Sequence, residues 1–315
     1  MELYRKHRPT DLSQIVGNSS TTKSLSKIKE FPHAILLHGP RGCGKTTIGR
    51  IIAGMIGSSG MDFVELDTGI YRGIDTVRDL RKNMVFKPVI SDARVWLLDE
   101  FHNFGTGGSS KKNIAQTAML KALEEAPDHV YFILCTTNPE MILSTIRSRC
   151  ASFAVSALDD DEMEELITKI ARKERKKKLP NTVIQEIVDC AEGHPRDALM
   201  LLDNVLLHKK EKDMLASINA IDEEKELNEL CQALLKGVPW QKVSKIINSL
   251  PQTTPSNVRR AVLNYMSAVL RNSKKGNDRA WYVMSWFQSL EAYTDIPSDI
   301  TFVCYAICKE LDGPF

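Results

Sequence analysis

The stretch His38-Gly39-Pro40-Arg41-Gly42-Cys43-Gly44-Lys45-Thr46-Thr47 lies between an apolar run, Ala34 to Leu37, and a segment of helical character, Ile48 to Ala53. Strand, glycine-rich turn and helix thus follow one another, and Gly39, Gly44, Lys45 and Thr46 fill the G-x-x-x-x-G-K-[ST] spacing across them. Glycines let backbone N–H groups turn inward around a phosphate, and the helix N-terminus adds partial positive charge. Gly42, Cys43 and Thr47 belong to the same cradle. Lys45 is placed to reach the β- and γ-phosphates of a nucleotide, and the Thr46 hydroxyl to ligand Mg²⁺. A glycine turn can also join strand to helix and bind nothing; four filled positions with the right flanks argue for a nucleotide site.

Further along, Phe63 to Asp67 reads as a strand, and a helix from Thr76 to about Met84 carries Arg78, Arg81 and Lys82. Arg94 to Glu100 is an apolar strand ending in two acids, the expected second half of a phosphoryl-transfer site. Asp99 would help hold Mg²⁺ and Glu100 would orient the attacking water. After a Gly/Ser-rich loop, 105–113, which ends in Lys111 and Lys112, comes a helix from Ala115 to Glu125. The strand Val130 to Cys135 then ends at Thr136-Thr137-Asn138, at the carboxyl edge where open α/β sheets bind ligands. A last strand, Ala151 to Val155, closes the alternation. The class is α/β, a parallel sheet with helices on both faces.

Beyond residue 156 the strand signal fades. A helix from Asp159 to Lys178 is acidic at its start and basic at its end, which complements the helix dipole and favours a solvated, self-capped helix over a DNA-contacting patch. Two more helices follow, the second opened by Gly193-His194-Pro195-Arg196-Asp197. The remainder reads as helices beginning near Glu223, with apolar stripes such as Leu263, Met266, Val269 and Trp281, Met284, Phe287 suited to a core or a subunit interface. The expected domains are 1–155, 156–212 and 213–315.

A net charge of +2 over 315 residues does not by itself announce a nucleic-acid partner. The seven cysteines form no C-x-x-C pair, which argues against a structural zinc site and suits a reducing compartment. The charged N-terminus lacks an apolar leader and no run approaches membrane-spanning length, so a cytoplasmic protein with no membrane partner is expected.

Together these motifs resemble the clamp-loader ATPases of the AAA+ superfamily. Tyr4-Arg5-Lys6-His7-Arg8-Pro9 with Ile15-Val16-Gly17 is similar to the opening of the gamma/tau subunit of bacterial DNA polymerase III and of replication factor C. Arg72 to Arg78, Met119 to Pro127, Ser148-Arg149-Cys150 and Gly193 to Leu202 resemble further motifs of the group. The resemblance implies a P-loop ATPase domain, an all-α lid and an all-α collar. Arg5, Arg8, Pro9, Val16 and Gly17 would line the adenine pocket. Thr137 or Asn138 would sense the γ-phosphate, Arg196 would carry lid movement to the nucleotide, and Arg149 would reach a neighbouring subunit's site.

The resemblance also implies a ring of homologous subunits, expected to be a pentamer, that opens a sliding clamp and grips primer–template DNA. Arg78, Arg81 and Lys82, then Lys111 and Lys112, are the DNA candidates, and clamp contact is expected near Met84 to Phe86. A four-cysteine insertion of the bacterial subunit is replaced by Gly57-Ser58-Ser59-Gly60, and a compact protein without a polymerase-binding tail is expected. That compactness is more like phage or eukaryotic small subunits. The rival readings are a non-hydrolysing structural subunit and another DNA-associated AAA+ machine for fork maintenance or branch migration.

Overall fold

A computed structural model describes residues 2–71, 73–104, 114–175, 179–250, 255–273, 276–289 and 297–310. The chain divides into two compact units, Met1–Met214 and Leu215–Phe315. The first holds both the sheet and the helices expected to form a lid.

In the first unit α1 (Leu3–Lys6) and α2 (Ser19–Ser26) precede β1 (Ala34–His38), which runs through the glycine turn into α3 (Lys45–Met55). Then follow β2 (Phe63–Asp67), α4 (Ile74–Met84), β3 (Arg94–Asp99), α5 (Ile114–Glu124), β4 (Val130–Thr136), α6 (Ser144–Arg147) and β5 (Ala151–Ala154). The strands lie in the order β2-β3-β4-β1-β5, and every pairing is parallel. Successive side chains alternate between two cores, as strand geometry requires. Leu36, Trp96, Leu98, Phe132 and Leu134 join Val77 and Leu80 of α4 and Met119 of α5 on one face. Ile35, Leu37, Val95, Leu97 and Ile133 meet Leu25 of α2 and Ile48 and Ile52 of α3 on the other. Burial on both faces is why these strands read as unbroken apolar runs.

Three helices complete this unit: α7 (Asp160–Arg175), α8 (Asn181–Ala191) and α9 (Pro195–Val205). They pack on one another, and α1 packs on α9. Glu174 near the end of α7 binds both Lys6 and His7, which fastens the N-terminal segment to α7.

The second unit is helical in its described residues: most of α10 (Glu211–Lys236), then α11 (Trp240–Ser249), α12 (Pro255–Asn272), α13 (Asp278–Ser289) and α14 (Pro297–Glu310). Its core gathers Leu230, Leu234, Val243, Val262, Met266, Phe287 and Ile307. Leu263, Val269 and Met284 pack against that core, whereas Trp281 is exposed. Helix α10 starts at Glu211 rather than near Glu223, because Met214 and Ile218, one helical turn apart, are both buried and carry the helix back past the acidic run.

Asp62 anchors the segment between α4 and β3. Its buried carboxylate accepts N–H bonds from Val89 (2.9 Å), Ile90 (2.9 Å) and Ser91 (3.1 Å) and from the Arg94 guanidinium (3.2 Å). These bonds, that from Ile90 foremost, hold the carboxyl down to about 2. A folded pKa below the unfolded value gives stability that is present above about pH 4 and lost as pH falls toward 2. Asp62→Ala is expected to lower Tm by several degrees and to flatten the acid limb of stability between pH 4 and 2, followed by circular dichroism. An unchanged acid limb would remove this role for Asp62.

Candidate nucleotide-binding site

The parallel register brings the carboxyl ends of β1, β3 and β4 to one edge, and the site is built there. Gly39 leaves β1 with φ +149°, and an added Cβ would stand 1.8 Å from the Val155 carbonyl oxygen, so only glycine lets the turn pass so close to the chain beyond β5. The turn then delivers its backbone to the N-terminus of α3, beside a cavity of about 440 Å³. Residues 41–48 line it together with Tyr4, Arg8, Pro9, Val16, Asp99, Glu100 and Arg196.

Lys45 is only 6% exposed, and its Nζ donates to the carbonyls of Gly39 (2.9 Å) and Pro40 (2.7 Å). Burial pushes its pKa down, while nearby Glu100 and Asp99 act the other way. A buried ammonium held by two carbonyls beside the cavity can exchange them for phosphate oxygens. The Thr46 hydroxyl donates to Asp99 Oδ2 at 2.8 Å, so two hard oxygen ligands from different elements already meet at one point. Such donors suit Mg²⁺, which keeps waters and phosphate oxygens in its remaining positions. Burial raises the Cys43 thiol, which donates to the Arg41 carbonyl (3.5 Å) and is packed rather than poised for chemistry.

Glu100 follows β3 in the left-handed region, at φ 51° and ψ 41°. Its Oε2 accepts from Thr137 Oγ1 at 3.5 Å, whereas the Asn138 side chain turns to Met141. Of the two residues left open by the sequence, Thr137 is therefore the one whose side chain meets Glu100, and neither lines the cavity. Arg196, from the first turn of α9, lies with its guanidinium 5.5 Å from the centre of the Tyr4 ring. Burial lowers the Arg8 pKa, with Arg50 and Arg196 adding to the effect.

Three expected contacts fall elsewhere. Arg5 is exposed, bonded to Tyr4 and Glu2 and outside the cavity lining, because α1 turns Tyr4 inward instead. Gly17 does not line the cavity either; it lets the chain pass Leu158 and Glu162, where a Cβ would lie 2.4 Å from Leu158 Cδ2. Gly39 shapes the turn from beneath. One face of α7 also lines the cavity, through Leu166, Lys169, Ile170 and Lys173, none of them among the expected site residues. Their spacing of three and four residues was the available signal, masked by the charge gradient along the helix.

Arg149 does not line its own chain's cavity. Its Nε donates to Glu124 (2.7 Å) and its Nη1 to the Thr145 carbonyl (2.8 Å). Arg78, Arg81 and Lys82 are exposed along α4 and paired with Asp75, Glu125 and Asp79. Lys111, Lys112 and Arg72 lie outside the described residues.

Residues 67–159 match the family model described as DNA polymerase III, delta subunit. The DNA polymerase III subunit gamma/tau of Mycobacterium tuberculosis is 34% identical over 232 residues, which cover 65% of this chain and 39% of that protein. Subunit tau of Bacillus subtilis is 33% identical over 228 residues, with the same 65% and 39% coverage. Subunit tau of Escherichia coli is 29% identical over 274 residues, 78% of this chain and 41% of that protein. The chain thus spans about two fifths of the length of these curated relatives. Among solved structures, the RuvB Holliday junction branch migration motor of Thermotoga maritima overlays with a TM-score of 0.56 at 19% identity, covering 76% of this chain and 84% of that one.

The fold is shared with that structure: a parallel α/β sheet with a glycine-rich turn between β1 and α3, followed by helices. In sequence the chain is similar to the gamma/tau and tau subunits of bacterial DNA polymerase III.

The close approach at Gly39 makes a direct test. Gly39→Ala is expected to destabilise the protein by roughly 2 kcal/mol or more and to abolish nucleotide binding. Gly54→Ala, at an exposed position of α3 with nothing near the added methyl, is expected to stabilise it by about 0.5–1 kcal/mol. Thermal melts and titration with a fluorescent ATP analogue would check both.

Proposed function

We propose that this chain is an ATP-hydrolysing subunit of a sliding-clamp loader. The observation that carries the reading is one cavity lined by Lys45, Thr46, Asp99, Glu100 and, from α9, Arg196, with Thr137 bonded to Glu100 and Arg149 outside the lining. Lys45 and the backbone of residues 41–46 would bind the phosphates, and Thr46 and Asp99 would hold Mg²⁺. The ion would supply charge neutralisation to the phosphates when bound. Glu100 would orient the attacking water, with Thr137 beside it, and Arg196 would couple α9 to the nucleotide. Tyr4, Arg8, Pro9 and Val16 would enclose the base.

Arg149 in this reading serves the site of a neighbouring subunit, so that hydrolysis requires an assembled ring, a pentamer by resemblance to the family. A cation supplied in trans stabilises transition-state charge only after assembly. Residues 1–155, 156–212 and 213–315 would act as ATPase, lid and collar. Primer–template DNA would be held through its phosphates, with Arg78, Arg81 and Lys82 as candidates that must exchange acidic partners for phosphate. Lys111 and Lys112 stand as further candidates. The clamp would dock beyond α4. Met84 is buried there, so Val85 and Phe86, 71% and 63% exposed, would carry the contact, next to exposed Val89 and Ile90.

The test is steady-state ATPase of the chain with its partner subunits, clamp and primer–template DNA. Synergistic stimulation by clamp and DNA is expected. Lys45→Ala should abolish turnover, and Arg149→Ala should reduce it by on the order of 10³-fold while its own site still binds ATP. An ATPase indifferent to any clamp would overturn the loader reading. Val85→Ser with Phe86→Ser is expected to remove the clamp-dependent part of the rate and leave the basal rate within about twofold, since neither side chain touches the cavity. Equal loss of both rates would refute that docking surface.

A further inference from the structure

His102 is a buried polar side chain beside the acids to which the proposed function gives no part. His102 belongs to the short 3₁₀ turn Phe101–Asn103 directly after Glu100 and is 9% exposed. Its Nδ1 lies 3.1 Å from Thr136 Oγ1 and 3.4 Å from Glu100 Oε2. We propose that His102 is a positioning residue for Glu100, tying that carboxylate to the carboxyl end of β4. The inference rests on the ATPase reading and names the residue that would hold the water-orienting group in place.

The backbone explains how the two side chains meet. Glu100 occupies the left-handed region, which side-chain-bearing residues rarely adopt. Thr68 Oγ1 (2.7 Å) and the Asn103 N–H (2.8 Å) both donate to its carbonyl oxygen and hold the turn. The chain reverses there, and the side chain two residues on comes back beside the Glu100 carboxylate.

Without His102, Glu100 is poorly held. Its bond from Thr137 is 3.5 Å long, at the weak end of the range. One long bond leaves a flexible carboxylate free to rotate, whereas orienting a water requires a fixed direction. His102 adds a second contact, and its own position is well determined. Thr136 is fully buried, and its hydroxyl oxygen also accepts the Asn138 N–H at 3.0 Å. The ring is therefore fixed to the backbone segment that carries Thr137, and a shift of that segment reaches Glu100 through two side chains.

The chemistry also selects the tautomer. A carboxylate only accepts hydrogen bonds, so the arrangement requires the proton on Nδ1, where it faces both Glu100 and Thr136. A histidine that only filled space between the turn and β4 would have no such requirement. Its removal would lower stability and ATP binding without depending on Glu100.

The experiment uses the full chain assembled with partner subunits, clamp and DNA. It measures kcat, KM, the Kd of a fluorescent ATP analogue and Tm for wild type, His102→Leu, His102→Asn, Glu100→Gln and the His102→Leu/Glu100→Gln double variant. His102→Leu is expected to lower kcat by roughly 10–100-fold, the range seen when a group that orients a functional ligand is lost. The Kd should stay within about twofold of wild type, because the loss falls on the chemical step and not on binding. Asparagine, whose amide can stand where Nδ1 stood, should restore most of the rate. In the Glu100→Gln background, His102→Leu should produce no further fall in the single-turnover rate.

Wild-type kcat in His102→Leu would overturn the inference while leaving the ATPase reading intact. So would an undiminished loss in the Glu100→Gln background, or a loss that tracks Kd and Tm without rescue by asparagine. A wild-type assembly that binds ATP and never turns it over would overturn the ATPase reading, and this inference with it.

Discussion

Three adjacent parallel strands ending at the same edge are the constraint on which the site depends. The register pairs His38 of β1 with Thr136 of β4, Leu98 of β3 with Leu134 of β4, and Asp67 of β2 with Asp99 of β3. The glycine turn, the acids and Thr137 therefore emerge side by side although nearly a hundred residues separate the first from the last. Parallel pairing makes each strand return to the same end through a crossover, and α3, α4 and α5 are those crossovers. Their apolar faces bury the sheet on both sides, so the hydrophobic cores set the level at which the polar groups appear. Sliding one strand by a single residue would turn its core side chains to the wrong face and move its terminal group out of the site.

The site is held together by interactions that a nucleotide and its metal can replace. Lys45 rests on carbonyl oxygens, the Thr46 hydroxyl on Asp99 and the Arg196 guanidinium beside an aromatic ring. Each keeps a polar group satisfied in a partly dry cavity, where an unpaired one would be costly. None is a bidentate ion pair that would compete strongly with phosphate. Arg50, outside the cavity lining, makes that stronger kind of pair with Glu65, two parallel N–H bonds of 2.7 and 2.9 Å. The contrast separates groups arranged to exchange partners from groups arranged to stay. Glu174 binds Lys6 and His7 through one carboxylate, which lowers its pKa chiefly through the bond from Lys6, and keeps the N-terminal wall of the cavity beside α7.

The glycine turn, the strand ending in Asp99-Glu100 and the apolar alternation of residues 34–155 were legible in the sequence, because each depends on local spacing. A phosphate loop needs its glycines, lysine and threonine at set intervals, and a doubly covered strand needs a continuous apolar run. The choice between Thr137 and Asn138 was not legible, since one residue of register at the end of β4 decides which side chain faces Glu100. Nor was the replacement of Arg5 by Tyr4 in the cavity wall, which depends on how the short helix α1 is rotated against α9. The cavity face of α7 escaped because its lining residues include two lysines, which also satisfy a solvated reading.

The class of fold, the glycine turn and the acidic pair are encoded in neighbouring residues and could be read from them. Which groups from distant segments share a surface is settled by packing. It placed Asp62 under the segment before β3, turned Arg149 away from its own chain's cavity and brought His102 against Glu100 and Thr136. The reason is physical. Local spacing sets the conformation of a segment, whereas its neighbours are chosen by strand register, helix rotation and the burial of surfaces that lie far apart in the chain.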